Sequence, residues 1–132
     1  MIRKIYTGGL DWDSQTFQLP DASRAPWEKW KADNPTASAD LKGADLPLAN
    51  LEGVDLSFVN LEGARLSSAN LERVNLSNAS LRGANLNNAN LVGAKLTDAD
   101  ITGATLTGAN MDAVDFSSAL LRNSNMALSK NP

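Results

Sequence analysis

The chain contains neither cysteine nor histidine. Without cysteine there is no disulfide framework, no thiolate nucleophile and no cysteine metal site. Without histidine the usual general base and the commonest metal ligand are gone. Aromatic side chains are scarce, and the three tryptophans, Trp12, Trp27 and Trp30, all lie in the first quarter of the chain. Basic charge is outweighed: 12 Lys and Arg against 15 Asp and Glu leave a net charge of -3, which argues against direct binding of nucleic acid or of an anionic membrane surface. No apolar run reaches the roughly 18 residues of a transmembrane helix. Arg3 and Lys4 precede Gly8, Gly9, Asp11 and Asp13 rather than an apolar stretch, so the start does not read as a signal peptide and a cytoplasmic location is expected. At 132 residues the chain is one domain with a small appendage.

What the chain does have is a period of five. Leu41, Leu46, Leu51, Leu56, Leu61, Leu66, Leu71, Leu76, Leu81, Leu86, Leu91, Leu96, Ile101, Leu106, Met111, Phe116, Leu121 and Met126 follow one another at that spacing. A small residue precedes each by two positions, from Ala39 through Val54, Ala84 and Val114 to Ser124. This period is neither the 3.6 of a helix nor the 2 of an ordinary strand. Ala and Leu two residues apart point to one side of an extended segment, with the polar residue between them pointing away. The remaining two residues must turn the chain so that the next Ala-x-Leu again faces inward. A solenoid with a small and medium apolar interior follows. Glycine recurs with a period of ten, at Gly43, Gly53, Gly63, Gly83, Gly93 and Gly103, interrupted by Arg73 and Ala113 and continued by Asn123. Glycine suits the third position of a type II turn, so these corners are expected to be type II and the intervening corners a different type.

With its 18 consecutive units, the chain resembles the pentapeptide-repeat proteins, whose pattern is A(D/N)LXX. The resemblance implies an all-β solenoid, a right-handed quadrilateral β-helix with four pentapeptides per coil and four to five coils. Leu41, Leu61, Leu81, Ile101 and Leu121 would then stack on one wall, and Leu46, Leu66, Leu86, Leu106 and Met126 on the next. The third wall would hold Leu51, Leu71, Leu91 and Met111, and the fourth Leu56, Leu76, Leu96 and Phe116. At about 4.8 Å per layer the rod is about 20 Å long. Under this stacking Asn50, Asn70, Asn90 and Asn110 share a column and form an amide ladder. Lys42, Glu62 and Arg82 alternate in sign, Asp45 lies under Arg65, and Lys95 under Asp115. Such exposed pairs contribute about 0–1 kcal/mol each and mainly set register and solubility.

Residues 1–38 break the pattern and read as an N-terminal arm and cap, residues 39–128 as the repeat, and 129–132 as a tail. Ile2 to Thr7, Gly8-Gly9 and Leu10 to Asp13 suit a short hairpin. Pro26 to about Asp33 suits a short helix stopped by Asn34-Pro35, with Trp27 and Trp30 on one face. So short a helix must dock, and the open first coil offers apolar interior and unpaired edges that need covering. Leu48 and Phe58 are apolar where later coils carry Ser68, Asn88, Asn78 and Asp98. Trp27 and Trp30 are therefore expected to cover the first coil near Leu48, Phe58 or both. Trp12 and Phe17 belong either to the cap or to an exposed arm. At the other end Leu120, Leu121, Met126 and Leu128 cluster with no capping helix after them. This coil either frays or is covered by a second copy, an arrangement the resemblance also implies; the competing reading is an unpaired charged or disordered tail.

No catalytic, cofactor or metal residue is assigned. The serines, Ser57, Ser67, Ser77 and Ser117 among them, occupy turn positions and lack an activating histidine. Asp98 and Asp100 have no cleft and no third oxygen ligand. The glycines open no helix and make no phosphate loop. Thr97, Thr102, Thr105 and Thr107 form no ladder, because Thr102 lies between Arg82 and Arg122, which removes an ice-binding face. The expected function is a non-enzymatic interaction or scaffold module with an unidentified protein partner, self-associating through the C-terminal coil in one reading. One alternative, implied by the resemblance, is a DNA mimic that binds DNA gyrase. Residues 39–128 hold ten acids against six bases, a weak negative excess for such mimicry. The other alternative is a subunit of a larger assembly held by residues 1–24.

Overall fold

The computed structural model of the protein describes residues 4–7, 10–13, 24–127 and 129–130. From residue 39 onward the pentapeptides close into coils of twenty. Parallel single-residue bridges join each outward polar position to the one twenty residues later, from Asp40↔Asn60 through Asn75↔Lys95 to Asn110↔Lys130. Four pentapeptides therefore make one coil, one per wall. Lys130, expected in the tail, still belongs to the ladder: its amide donates to Ala109 O and its carbonyl accepts from Met111 N, both at 2.9 Å. The inward column is closed to solvent, with every Ala and Leu partner from Ala39 to Met111 at 2 % exposure or less. A fully buried leucine contributes about 1.5–3 kcal/mol, so the stacked leucines are the main source of stability.

The corners differ from the sequence-based expectation. Glycine corners and intervening corners have the same backbone: φ is +69° at Gly43 and +63° at Leu48, +68° at Gly53 and +64° at Phe58. The alternation continues to Asp98, Gly103, Gly108, Ala113, Ser118 and Asn123 without a change of sign. In both series the amide after the corner donates back across it, Ala44 N to Leu41 O and Ala49 N to Leu46 O. A positive φ only at the third residue defines type II throughout. The alternation of glycine in the sequence therefore marks where the left-handed conformation is relieved of strain, and not a second turn type. Asn and Asp tolerate that conformation, whereas Leu48, Phe58, Arg73 and Ala113 hold it at about 1–2 kcal/mol each.

The polar letter of the repeat has a physical cause as well. In each turn the amide two residues after the Asp or Asn has no ladder partner, and the side-chain oxygen accepts it: Asp40 from Lys42, Asn60 from Glu62, Asn75 from Ser77, Asn90 from Val92, Asp100 from Thr102. These Asx turns explain why short carboxylates and amides fill the position. Pro47 has no N–H to offer, so the Asp45 carboxylate turns instead to Arg65 at 3.5 Å. The same Asx bonds reduce the expected asparagine ladder to one inter-coil amide contact among the described residues, Asn70 Nδ2 to Asn50 Oδ1 at 3.5 Å. Asn90 reaches Glu72 instead. Lys42 does stand 4.0 Å from Glu62, but Arg82 turns away from Glu62 to Asp100 at 2.9 Å.

Ahead of the solenoid, β1 (Lys4–Thr7) and β2 (Leu10–Asp13) pair antiparallel with Thr7 opposite Leu10. Ile2, Gly8-Gly9 and Phe17 lie outside the described residues, as does the side chain of Trp12. Helix α1 (Arg24–Asp33) begins two residues before Pro26, which sits in the first turn where its missing N–H is harmless. Lys29 and Asp33 pair one turn apart at 3.0 Å. The helix stops at Asn34, whose amide and side chain both donate to Trp30 O at 2.9 Å, just before Pro35. No helix among the described residues is long and apolar enough to cross a membrane.

Candidate functional site

The walls are uniform and self-satisfied, and the two ends are where the molecule is distinctive. At the N-terminal end α1 lies over the first coil. Trp27 is fully buried and Trp30 nearly so, their rings 5.6 Å apart and tilted by 35°. Trp27 Nε1 donates to Asp55 O at 3.0 Å. One helical turn on, Lys31 is also buried; its ammonium donates to Ser57 O and, at 3.4 Å, to Ala37 O. It stands 5.6 Å from the centre of the Phe58 ring, a cation–π arrangement. Burial is the larger influence on Lys31 and lowers its pKa below 10.5, against the opposing pull of Asp55.

The identity of the two carbonyls explains these contacts. On the same wall one coil later, Asn75 O accepts from Leu56 N and Ser77 O from Phe58 N. No backbone N–H among the described residues donates to Asp55 O or Ser57 O. Trp27 and Lys31, spaced four apart on one helix face, supply the two missing donors. Sequence reading placed the tryptophans here but missed Lys31; its i, i+4 spacing from Trp27 was the available signal. Phe58 is half-buried beside the cap, but Leu48 is 77 % exposed. The expectation that the cap reaches Leu48 is corrected: α1 anchors on the fourth wall, whereas Leu48 projects outward from a corner of the second.

At the C-terminal end the apolar column is less covered among the described residues. Val114, Phe116 and Met126 are only partly buried, and Leu120 and Leu121 are 58 % and 39 % exposed. Leu128 lies outside the described residues. Beside these leucines runs a groove of about 710 Å3 lined by Arg82, Thr102, Ala119, Leu120, Leu121, Arg122 and Asn123. Leu120 stands on the wall where Asp100 and Ser80 precede it in the ladder, so an aliphatic side chain occupies a normally polar position.

Between the ends, hydroxyl and carboxylate pairs serve the turns. Ser57 Oγ donates to Asp55 at 2.6 Å, and Thr102 Oγ1 to Asp100 and Ser117 Oγ to Asp115 at 2.5 Å. At Asp100 burial is the largest influence and raises the pKa, but the Thr102 hydroxyl and amide and the Arg82 guanidinium outweigh it and hold the carboxyl below its ordinary value. At Asp115 the Ser117 hydroxyl and amide do the same. No group of acids among the described residues is arranged to hold a metal ion.

A family model described as Pentapeptide repeats matches residues 37–73 and 69–108 in 8 copies. Among solved structures, the pentapeptide repeat protein Rfr23 from the cyanobacterium Cyanothece 51142 is 38 % identical with a TM-score of 0.69, over 70 % of this chain and 64 % of that one. A pentapeptide repeat protein from the Arabidopsis thaliana thylakoid lumen is 26 % identical over 73 % of this chain and 63 % of its own, with a TM-score of 0.39. QnrB1, a plasmid-mediated fluoroquinolone resistance protein, is 17 % identical over 68 % of this chain and 70 % of its own, with a TM-score of 0.36. The chain thus spans less than two thirds of the first two structures. No curated protein matches it.

Proposed function

Because the chain belongs to the pentapeptide-repeat family, we propose that it is a non-enzymatic protein-interaction module, a right-handed quadrilateral β-helix that docks through its open C-terminal coil. The observation that carries this reading is the difference between a first coil sealed to 1 % exposure or less at Leu41, Leu46, Leu51 and Leu56, and a last coil whose Leu121 is 39 % exposed. Apolar interior left uncovered at one end is interaction surface. A second copy meeting it tail to tail would form a closed two-fold dimer. The locking of Ser57, Thr102 and Ser117 onto their own turn carboxylates supports a non-enzymatic role. DNA mimicry is the weaker reading, since Arg65, Arg73 and Arg82 sit against Asp45, Glu52 and Asp100 and break up the negative walls.

Light scattering on the native chain and on Leu121→Lys tests the proposal. A native dimer that the substitution converts to monomer is the expected result. A native monomer at all accessible concentrations overturns docking of a second copy at this end.

A further inference from the structure

The ladder has a direction. Each pentapeptide donates two amides toward the next coil, as Leu56 N to Asn75 O at 2.7 Å and Phe58 N to Ser77 O at 3.0 Å, and accepts one in return, as Val54 O from Asn75 N at 3.0 Å. By the same rule each wall's N-terminal edge offers two carbonyls and one amide, and its C-terminal edge two amides and one carbonyl. The edges complement each other but not themselves. At the C-terminal edge, no backbone carbonyl among the described residues accepts the amides of Phe116, Ser118, Leu121 and Asn123. In hydrogen bonding and in shape, the last coil of one copy is the coil missing before the first coil of another.

What stands in that place is α1, with Trp27 Nε1 on Asp55 O and Lys31 Nζ on Ser57 O. We propose that α1 is a plug against polymerisation: it occupies a docking surface that fits the C-terminal coil of a second copy, and without it the chains stack head to tail. This rests on the accessible C-terminal coil used in the functional reading above, but pairs it with the opposite edge. A heterologous contact of this kind does not close and grows into a fibre. Because like edges cannot complete the ladder, head-to-tail contact outcompetes the tail-to-tail dimer once the plug is gone.

The test is a light-scattering concentration series on the full chain carrying Trp27→Asp and Lys31→Glu, with far-UV circular dichroism and tryptophan emission on the same samples. The expected result is a folded chain whose mass climbs with concentration beyond a dimer, and falls to that of the capped Leu121→Lys chain when Leu121→Lys is added. A folded, uncapped chain that keeps the native mass at every concentration overturns the plug. Growth that Leu121→Lys leaves unchanged also overturns it, because unspecific aggregation does not need the C-terminal edge. Should the double variant not fold, Lys31→Ala, which removes one anchor and keeps both tryptophans, is put through the same pair of measurements. A monomeric native chain would remove the tail-to-tail dimer and leave this proposal standing, since the plug is read only from capped against uncapped chains.

Discussion

The first and last coils are built from the same pentapeptide and end in opposite states. Leu41 and Leu121 stack on one wall four coils apart, yet Leu41 is fully buried and Leu121 is 39 % exposed. Nothing in the repeat itself makes the difference. It comes from α1, whose Trp27 and Lys31 side chains supply hydrogen bonds that a neighbouring coil supplies elsewhere, with Trp27 and Trp30 as the cover. A solenoid's stability is a sum of neighbour contacts, so an end is only as secure as whatever stands beyond it.

The comparison is broken most severely in the middle, where both neighbours are present. Leu81→Ala leaves a cavity among fully buried side chains and should lower the unfolding free energy by about 2–5 kcal/mol. Leu121→Ala at the open end should cost under about 1 kcal/mol. Urea denaturation of the two variants measures the contrast, and equal losses would mean that the last coil is as well supported as the third.

The cap comes next. Trp27→Phe keeps most of the buried ring but leaves Asp55 O without its donor, a loss of about 1–3 kcal/mol in the same assay. Lys31 adds a pH signature. Its folded pKa lies below the unfolded 10.5, so between the two values the folded state has released a proton that the unfolded state still holds. Its contribution to stability therefore rises with pH through that window. Melting curves should show the stability of the native protein relative to Lys31→Met rising as pH climbs through that window towards 10.5, and a pH-independent difference would mean that Lys31 does not titrate differently in the folded state.

The corners sharpen the picture at smaller scale. Gly63 has a φ of +68° and open space where a Cβ would stand, so Gly63→Ala isolates backbone strain and should cost about 1 kcal/mol. Leu48→Gly should do the reverse, stabilising by up to about 1 kcal/mol, because an exposed leucine gives up strain and little packing. Smallest is the acid limb. Asp115 is held below its ordinary pKa by Ser117, so its contribution is present above the unfolded value and fades as pH falls through the folded one. In Ser117→Ala the Asp115 titration followed by NMR should move upward, and an unmoved titration would assign the shift elsewhere.

The interior of this molecule was legible in the sequence because a five-residue period with Ala and Leu two apart admits few geometries. The hairpin and the helix were legible too, from Gly8-Gly9 and from Pro26 with Asn34-Pro35. The turn chemistry was read less well. Glycine at alternate corners looks like two turn types, but φ depends on the closing hydrogen bond from Ala44 or Ala49, and that bond is the same at both. The asparagine column was misread for a related reason: an amide oxygen is claimed first by the nearest orphan N–H, two residues along its own chain, before it can serve the next coil. Lys31 was missed because its i, i+4 spacing from Trp27 is a weak signal: a lysine on a short helix reads as solvated unless the carbonyl awaiting it is known.

The identity of all the corners has a further meaning. Because every pentapeptide turns the chain through one wall with the same backbone, deleting or inserting five residues keeps the leucine columns in register. Everything downstream is simply carried round by a quarter-turn. A loss of one unit before Leu81 would move Arg82, Asp100 and Leu120 together onto the neighbouring side, with core and corners unchanged. Lineages of such chains can thus re-address a surface patch in discrete rotations, trying new orientations for old side chains without passing through an unfolded intermediate sequence.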